Sequence, residues 1–575
     1  MRVSGQRPLF SYKMPWTSRW SLDIPSRSLP DFLFTSPAAP LDNARPLLID
    51  AERPRQYLTH HTYRLWSQRL AAGLSKAGFK RGDRLLLYSG NTIFFPVVLM
   101  GTIMAQGVFS GANPTYVARE LAYQLQDSGA KFLITSEASL PTALEAARIV
   151  GFSREQIFVF DDGSDTFNHC GRSVDGIRHW SSLLTSPEKG SLYAWPTLST
   201  PKEMAETTAV LNYSSGTTGV PKGVEITHLN YIANCMQTEY MAALAPDYEV
   251  KVKQAKVLSF LPMYHAYGQT YHCVTCPGRG VPVYVMRKYD FVEMLRCVEK
   301  FQITGLNLVP PIAVALTKRP EVKDFDLSSV ESAGCGAAPL GRESAVEFDK
   351  VVAKGRFQLR QGWGMTEITC SAIGWDPRMD LDSPAVGELN PNIEGMIVDD
   401  AGHEVGVGQR GEFWVRGPNV MKGYWKKAEA TKETKTDDGW LKTGDIAYRD
   451  KDGLIYMVDR KKELIKVKGN QVAPAELEAL LLDHPAVQDA AVVGVTIRGE
   501  ELPRAYIVPQ AEQNATPEDI GQWLAKQVAP HKRLAGGVKF TDVIPKNPSG
   551  KILRKALREK AAEEVGDGSP KASKL

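Results

Sequence analysis

The densest group of potentially reactive side chains lies in the stretch SSGTTGVPKG, from Ser214 to Gly223. Its hydroxyls can donate hydrogen bonds, its glycines let the backbone turn tightly and approach a ligand, and Lys222 adds a positive charge. Such a loop suits a polyphosphate. It lacks the G-x-x-x-x-G-K-[ST] spacing, because Lys222 is followed by Gly223. On composition alone, a polar surface loop fits equally well.

The elements around this loop predict a sheet that places it at a ligand-binding edge. The apolar run TTAVLNY precedes it, and DRLLLYS, KFLITS, KVLSFLP and GLNLVP are similar runs that end in small or turn residues. Helical stretches separate them, and one places Tyr63, Trp66 and Leu70 on a single face. The alternation predicts an α/β fold with parallel-rich sheets covered by helices. Ligands bind such sheets beyond the carboxyl ends of the strands.

The chain of 575 residues is too long for one ordinary core, and a second region begins near Asp459. There a charged connector runs into a helix with Pro474 in its first turn. Two strand-like runs and an amphipathic helix follow, which suits a small α+β domain. The predicted divisions are an N-terminal extension (1–45), a large domain (46–459), a C-terminal domain (460–565) and an exposed tail (566–575).

Composition and charge exclude several classes of protein. A formal net charge of +4, without a dense Lys/Arg block, gives no case for a nucleic-acid partner. Seven scattered cysteines argue against a disulfide scaffold, and Cys273 and Cys276 lack the second pair of a structural zinc site. The uncharged run from Ile93 to Ala112 contains Pro96 and several glycines. A buried helix that continues into a strand therefore fits this run better than a transmembrane span.

Both ends of the chain contain targeting-like segments. The first 22 residues have four basic residues and no acid, which is typical of a mitochondrial presequence. A disordered start, or a true start at Met14, would explain the same composition. The chain ends in Ser573, Lys574 and Leu575, the tripeptide that a peroxisomal import receptor reads. We therefore expect a peroxisomal protein.

Six further blocks accompany the loop in a fixed order. They are LPMYHAYG (261–268), GCGAAPLG (334–341), QGWGMTE (361–367), GWLKTGD (439–445), VDRKKELIKVKGNQVAPAELE (458–478) and PKNPSGKILR (545–554). Over about residues 50–560, the set resembles the adenylate-forming, AMP-binding superfamily. The arrangement most resembles 4-coumarate–CoA ligases and fungal peroxisomal acyl-CoA ligases.

The resemblance implies a two-step reaction with ATP, Mg²⁺ and coenzyme A. A carboxylate attacks the α-phosphorus of ATP to give an acyl-adenylate and pyrophosphate, and the thiol of coenzyme A then displaces AMP. The first step brings an anion to a polyanion, so catalysis requires positioning and positive charge. The implied fold is a large N-terminal domain with a small, mobile α+β C-terminal domain.

The resemblance also implies most of the nucleotide contacts. Asp445 and Arg460 contact the ribose, and Trp363 stacks on the adenine where the family usually has tyrosine. Thr218 and Glu367 are the implied Mg²⁺ ligands. The implied ATP and AMP set is Ser214, Ser215, Gly216, Thr217, Thr218, Gly219, Lys222, Gly336, Ala337, Gln361, Gly362, Trp363, Gly364, Thr366, Asp445 and Arg460.

Two different groups of residues are implied for the two steps. Lys551, in the turn NPSGK, would bridge the substrate carboxylate and the α-phosphate in step one. A hinge at Lys461 and Lys462 would then withdraw it. The turn that the hinge brings in for step two would supply Lys466 and Gln471 near AMP. Lys468 and Gly469 would line the coenzyme A tunnel.

The acid itself is the least defined part of the reaction. His265 matches a histidine at the mouth of the acyl site, and Tyr264, Ala266, Tyr267, Ile368 and Cys370 are the implied pocket residues. Plant coumarate ligases commonly have Gly-Pro-Val after the Thr-Glu pair, where this chain has ITCSAIGWDP. An aryl or medium-chain acid, such as a secondary-metabolite precursor, therefore fits better than 4-coumarate.

Three other functions share some of these motifs. A stand-alone adenylation enzyme would load a carrier protein, although only 24 residues follow Lys551 and no carrier domain is present. A luciferase-like oxygenase would share every motif and the address. An inactive binding protein would be expected to have lost Thr218, Glu367, Asp445 or Lys551, and all four are present.

Overall fold

The fold was analysed in a computed structural model. It describes residues 15–35, 44–161, 171–214, 220–379, 383–468, 470–497, 499–510, 513–547 and 550–565. As predicted, the protein is mixed α/β, with a large N-terminal domain and a smaller C-terminal domain. The predicted site residues Ser215, Gly216, Thr217, Thr218, Gly219 and Gly469, and the terminal Ser573, Lys574 and Leu575, lie outside the described residues.

The first sheet of the large domain carries the edges of the hydroxyl-rich loop. In the described ranges it has eight strands in the order β20-β10-β9-β5-β4-β6-β7-β8. In this order, every pair of neighbours from β9 through β8 is parallel. Strands β9 and β10 are antiparallel, and the loop lies between them in the chain. Its strands are β4 Arg84–Tyr88, β5 Val108–Ala112, β6 Ala130–Ser136, β7 Ile157–Phe160, β8 Arg178–His179, β9 Thr208–Ser214, β10 Lys222–Thr227 and β20 Gly423–Tyr424.

The second sheet carries the predicted purine slot at its carboxyl edge. Its seven described strands run in the order β15-β14-β13-β11-β12-β2-β3, and all neighbours except β2 and β3 are parallel. Its strands are β2 Pro46–Asp50, β3 Tyr57–Thr59, β11 Val257–Ser259, β12 Val283–Val285, β13 Gly305–Leu308, β14 Ser332–Cys335 and β15 Arg360–Gln361.

A third sheet, which the sequence analysis did not predict, is antiparallel throughout its described strands. Its order is β1-β18-β19-β21-β22, and β21 and β22 carry Asp445 and Arg460 directly opposite each other. Its strands are β1 Trp16–Thr17, β18 Glu394–Val398, β19 Gly411–Arg416, β21 Leu441–Arg449 and β22 Ile455–Arg460. A separate pair joins β16 Ile373–Gly374 to β17 Glu388–Leu389.

Helices cover the sheets, and the uncharged run is a buried helix, α3, followed by β5, as predicted. Within the described ranges, no helix combines the length and apolar character that a membrane crossing needs. The helices of the large domain are α1 Leu29–Phe34, α2 His60–Lys76, α3 Phe95–Met104, α4 Ala118–Ser128, α5 Leu140–Val150, α6 Pro187–Ser191, α7 Pro201–Glu206, α8 His228–Ala243, α9 Tyr248–Gln254, α10 Ala266–Gly268, α11 Cys276–Gly278, α12 Phe291–Phe301, α13 Pro310–Lys318, α14 Arg342–Phe348 and α15 Ala428–Thr434. A π-helical segment, Gln269–Thr275, joins α10 to α11.

The C-terminal domain packs helices on a three-stranded sheet around its own core. Pro474 occupies the first turn of α16, where its missing N–H costs no hydrogen bond. A short hairpin, β23 Ile465–Val467 and β24 Asn470–Val472, precedes this helix. The remaining elements are α16 Pro474–Asp483, β25 Val487–Ile497, β26 Glu500–Pro509, α17 Pro517–Ala525, β27 Val538–Phe540 and α18 Arg554–Val565.

Residues 15–35, in the predicted N-terminal extension, are built into the large domain. Strand β1 pairs with β18, and Arg19 contacts Asp376 and Glu388 at 3.0 and 2.7 Å. Helix α1 is almost entirely buried. These contacts attach residues 15–35 to the segment that follows the predicted acyl pocket.

Candidate active site

Asp445 is the centre of a buried polar group between the domains. It lies on β21 and is only 6% exposed. The indole N–H of Trp363 donates to its Oδ2 at 2.8 Å, and the Nε of Arg460 lies 3.3 Å from its Oδ1. Burial raises the pKa of Asp445, whereas Arg460 and Trp363 oppose that shift. Trp363 and Arg460, which come from two other motifs, thus meet at the carboxylate of Asp445.

A cavity of about 340 Å³ opens beside this carboxylate. Its lining contains much of the predicted purine slot, namely Ala337, Gln361, Gly362, Trp363, Gly364, Asp445 and Arg460. Sequence analysis did not predict its outer wall, which is formed by Pro384, Val386, Arg410, Tyr448 and Met457. These side chains come from loops and from the antiparallel sheet, and no motif identified them.

Backbone geometry shapes the slot at two points. At Gly364, a Cβ atom would lie 1.8 Å from the carbonyl oxygen of Cys370, so a side chain has no room. Ala337 has a φ of 73°, a left-handed conformation that is rare for alanine. The side chain of Gln361 accepts a hydrogen bond from the backbone N–H of Leu340 at 2.9 Å. This bond ties the two segments of the slot together.

Glu367 lies where the first sheet meets the slot. It is 7% exposed, and its Oε1 accepts hydrogen bonds from the hydroxyls of Ser214 at 3.1 Å and Tyr424 at 2.9 Å. The Nζ of Lys222 lies 4.6 Å from the centre of the Tyr424 ring. The structure therefore brings Ser214, Lys222 and Glu367 together. Tyr424, which joins them, was missed because it belongs to none of the seven blocks.

Lys551 reaches the same region from the C-terminal domain. Burial and the neighbouring Arg460 lower its pKa to about 8, while Asp445 and Glu367 favour its charged form. The turn before it is fixed by two bonds with Asn547, one from the backbone N–H of Lys551 to Asn547 Oδ1 and one from the N–H of Asn547 to the Lys551 carbonyl, both at 2.9 Å. Gly550 has a φ of 80° and packs against Val309.

A buried ion network supports this turn from behind. Arg554, the first residue of α18, donates to Glu478 at 2.8 Å and lies 3.9 Å from Glu463. Burial raises the pKa of Asp459 to about 6, and Arg554 opposes that shift. Arg554 was not singled out from the sequence, although it lies in the same block as Lys551. The network fixes the start of α18 and, through it, the Lys551 turn.

His265 is close enough to Lys551 for their charges to interact. Burial, with a smaller effect of Lys551, lowers the pKa of His265 to about 4, so the imidazole is neutral near pH 7. Its Nδ1 accepts the backbone N–H of Tyr267 at 3.4 Å. A neutral, part-buried histidine near a lysine suits orientation of a carboxylate better than proton transfer.

The predicted acyl-pocket residues follow His265 into the interior. Tyr264 and Tyr267 are part-exposed. Ala266, Ile368 and Cys370 are buried, with exposed fractions of 4%, 0% and 8%. Tyr271 was not predicted, and its ring lies 5.4 Å from that of Tyr267 in an edge-to-face pair. It lies one helical turn beyond Tyr267, a spacing that could have identified it.

The residues predicted for step two lie elsewhere. Lys466, Lys468 and Gln471 are exposed on the β23–β24 hairpin, and neither large cavity includes them in its lining. The N–H of Lys466 donates to Glu501 at 3.0 Å. The predicted hinge residues Lys461 and Lys462 are exposed in the turn between β22 and this hairpin.

The two cysteines of the Cys-x-x-Cys spacing lie in the interior of the large domain. Cys273 and Cys276 are buried, and burial raises their pKa values. The described part of the chain contains no group of three or more His, Cys, Asp or Glu side chains that could hold a metal ion.

Two protein-family models match the chain. Residues 39–425, more than half of it, match the AMP-binding enzyme model, and residues 476–551 match the AMP-binding enzyme C-terminal domain. The first match contains Glu367 and Trp363, and the second contains Lys551.

Curated proteins are similar over nearly the whole chain. Phenylacetyl-CoA ligase epaB of Aspergillus niger is 35% identical over 551 residues, which cover 95% of this chain and 99% of that protein. Peroxisomal OPC-8:0-CoA ligase 1 of Arabidopsis thaliana is 37% identical over 505 residues, with 86% and 87% covered. Among solved structures, ATP-bound MatB from Rhodopseudomonas palustris shares the fold, with a TM-score of 0.79, 24% identity, and 94% and 99% covered.

Proposed function

Because this chain belongs to the AMP-binding enzyme family and is an AMP-forming acid–CoA ligase, we propose that Lys551 drives its first step on an aryl or medium-chain acid. The enzyme uses ATP and coenzyme A, and it forms an acyl-adenylate and then the acyl-CoA thioester. The observation that carries the proposal is the position of Lys551, whose charge interacts with the carboxylates of Glu367 and of Asp445, which lines the cavity.

In the first step, a carboxylate oxygen of the acid forms a bond to the α-phosphorus, and the bond from that phosphorus to the bridging oxygen of pyrophosphate breaks. The Lys551 ammonium lies between the two anions and stabilises the charge that they share in the transition state. His265, being neutral, orients the carboxylate. Asp445 and Arg460 hold the ribose, and Trp363 and Ala337 enclose the adenine.

The chemistry of Glu367 fits the Mg²⁺ that this family uses with ATP. Its Oε1 is held by two hydroxyls, and its Oε2 takes no hydrogen bond from the described residues. A buried carboxylate oxygen is a hard ligand, and Mg²⁺ is usually held by one or two carboxylates plus substrate phosphates. When bound, the ion neutralises phosphate charge. Glu367 and Thr218 would hold it, and the Ser214–Gly219 loop with Lys222 would hold the β- and γ-phosphates.

The second step requires a different arrangement of the C-terminal domain. Rotation about Lys461 and Lys462 would remove Lys551 and bring the β23–β24 hairpin to the AMP. Lys466 and Gln471 would then face the adenylate, while Lys468 and Gly469 would line the path of coenzyme A. The exposure of Lys466, Lys468 and Gln471 supports the proposal, because exposed side chains can meet a new partner without the loss of core packing.

The residues close to His265 in the chain support the proposed substrate class. Tyr267 and Tyr271 form an edge-to-face pair next to the predicted pocket residue Ala266, and aromatic rings prefer edge-to-face or offset contacts with another ring. The relative named for phenylacetyl-CoA supports the aryl member of the proposed class. One methylene changes binding by roughly 0.8 kcal/mol, so pocket size alone does not select a single acid.

The proposal is tested by acid-dependent pyrophosphate release, with and without coenzyme A. The panel runs from short to long aliphatic acids and includes phenylacetate, cinnamates and cyclic acids. We expect release to rise strongly with coenzyme A and to be greatest for an aryl or medium-chain acid. Equal release without coenzyme A would contradict the ligase, and preference for short acids or for acids longer than medium chain would contradict the substrate class.

We also propose that Ser573, Lys574 and Leu575 direct the protein to peroxisomes. The proposal is supported by the tripeptide itself and by the peroxisomal relative of Arabidopsis. A fluorescent protein fused to the N-terminus should be punctate with the tripeptide and cytosolic without it. Unchanged puncta after the deletion would contradict the address.

A further inference from the structure

The two domains touch at both ends of one helix, α13 (Pro310–Lys318). At its start the helix comes close to the Lys551 turn, since a Cβ atom on Gly550 would lie 3.2 Å from Val309 and 3.5 Å from Pro311. At its last residue, the Nζ of Lys318 donates to the carbonyl oxygens of Leu482 and Val487, both at 2.8 Å. A cavity of about 450 Å³ runs between these contacts and is lined by both Lys318 and Lys551.

The second contact is a cap supplied by the other domain. Leu482 lies in the last turn of α16 (Pro474–Asp483), where helix carbonyls lack partners within the helix and carry partial negative charge. Val487 begins β25. One ammonium therefore bonds the end of a helix and the start of a strand of the C-terminal domain. Bonds from a charged donor are stronger than neutral ones, and Lys318 is half-buried.

We infer that Lys318 is a domain latch, a positioning residue that holds the C-terminal domain where Lys551 can act and that must release before the second step. This inference rests on the proposed function, because it assumes that the domain moves between the steps. Lys318 touches neither the nucleotide cavity of 340 Å³ nor Asp445. Lys318 affects Lys551 indirectly, because its two partners lie on α16 and β25, in the same domain as the Lys551 turn.

A carboxylate beside the latch opposes docking. Asp483 ends α16, and its Oδ1 is buried without a hydrogen-bond partner among the described residues. The charged groups that act on it are Glu343 on α14 and Lys318 on α13, whereas burial lowers the pKa of the adjacent His484 and so favours its neutral form. Burial and Glu343 raise the pKa of Asp483 to about 7, although Lys318 opposes the shift. An ionised Asp483 thus weakens the docked state that Lys318 stabilises.

The two half-reactions test the latch separately. Pyrophosphate release reports adenylate formation, and synthetic acyl-AMP with coenzyme A reports thioester formation. We expect Lys318→Met to lower the first rate roughly 10- to 100-fold, because two bonds to a charged donor are lost, and to leave the second within about twofold. Lys318→Arg should recover much of the loss. Asp483→Asn should shift the ratio of the two rates toward adenylate formation.

The matched control is Lys323→Met, since Lys323 is exposed just beyond the same helix. Equal losses in both half-reactions of Lys318→Met, or no loss in either, would overturn the latch. Lys551→Ala in the same assays separates the two ideas. If Lys551→Ala fails to split the half-reactions, the proposed function is wrong. If it splits them and Lys318→Met does not, only the latch is wrong.

Discussion

The surroundings of Asp445 and the β23–β24 hairpin carry the two predicted sets of catalytic residues in opposite physical states. Asp445 is buried, bonded by Trp363 and paired with Arg460, and its charge interacts with that of Lys551. Lys466 and Gln471 lie exposed on a hairpin. The difference supports our proposal that the arrangement around Asp445 serves adenylate formation. The second set lies at the surface, where it can move without the loss of core packing.

The largest expected effect comes from Lys551→Ala. It removes the only C-terminal-domain cation that we assign to the reacting carboxylate and phosphate, so adenylate formation should fall about 1,000-fold. Thioester formation from synthetic acyl-AMP should stay within about twofold. Lys555→Ala is the control, because Lys555 is exposed on α18, just after the Lys551 turn. Equal loss in both half-reactions would mean that one site serves both steps.

Lys466→Ala should give the reverse pattern with a somewhat smaller effect. Its side chain is exposed in this arrangement, so adenylate formation should stay unchanged. Thioester formation should fall about 100-fold, as expected when one donor to a developing anion is lost. Both rates are measured as for Lys551. The exposed Lys451 supplies the control, as Lys451→Ala. Normal thioester formation in Lys466→Ala would remove this residue from the second step.

The sequence predicted the elements that are set by local pattern. The face of α2, the helix–strand reading of residues 93–112 and the first turn at Pro474 are all confirmed. The antiparallel third sheet was not predicted. Its strands β18 and β21 alternate buried and half-buried residues in short runs that are far apart in the chain. Their pairing depends on tertiary contacts that periodicity does not encode.

The site shows the same division between local and distant information. Motif residues such as Trp363 and Asp445 were named from the sequence, but the hydrogen bond between them was not. Tyr424 and Lys318 were missed altogether. Tyr424 bonds Glu367 from a strand 57 positions away, and Lys318 bonds Leu482 from another domain. Such contacts join segments that are distant in sequence, and no spacing rule reaches that far.

The pH dependence of the two steps should sharpen the comparison further. The pKa of Lys551 is lowered to about 8, and the first step needs its charged form. The kcat/KM for adenylate formation should therefore be level below pH 8 and fall about tenfold per unit above it. Thioester formation from acyl-AMP should instead rise with pH, because the thiol of coenzyme A ionises near 8.5. Parallel profiles would contradict separate catalytic groups.

The smallest expected effect tests the bond inside the buried site. Trp363→Phe keeps an aromatic face for the adenine but removes the indole N–H that Asp445 accepts at 2.8 Å. The loss of one hydrogen bond to a buried carboxylate should raise the KM for ATP in pyrophosphate release roughly 2- to 10-fold. Trp414→Phe is the control, since the Trp414 indole nitrogen has no hydrogen-bond partner among the described residues. Thioester formation at saturating acyl-AMP should not change. An unchanged KM for ATP would mean that Trp363 acts only by stacking and that Arg460 alone positions Asp445.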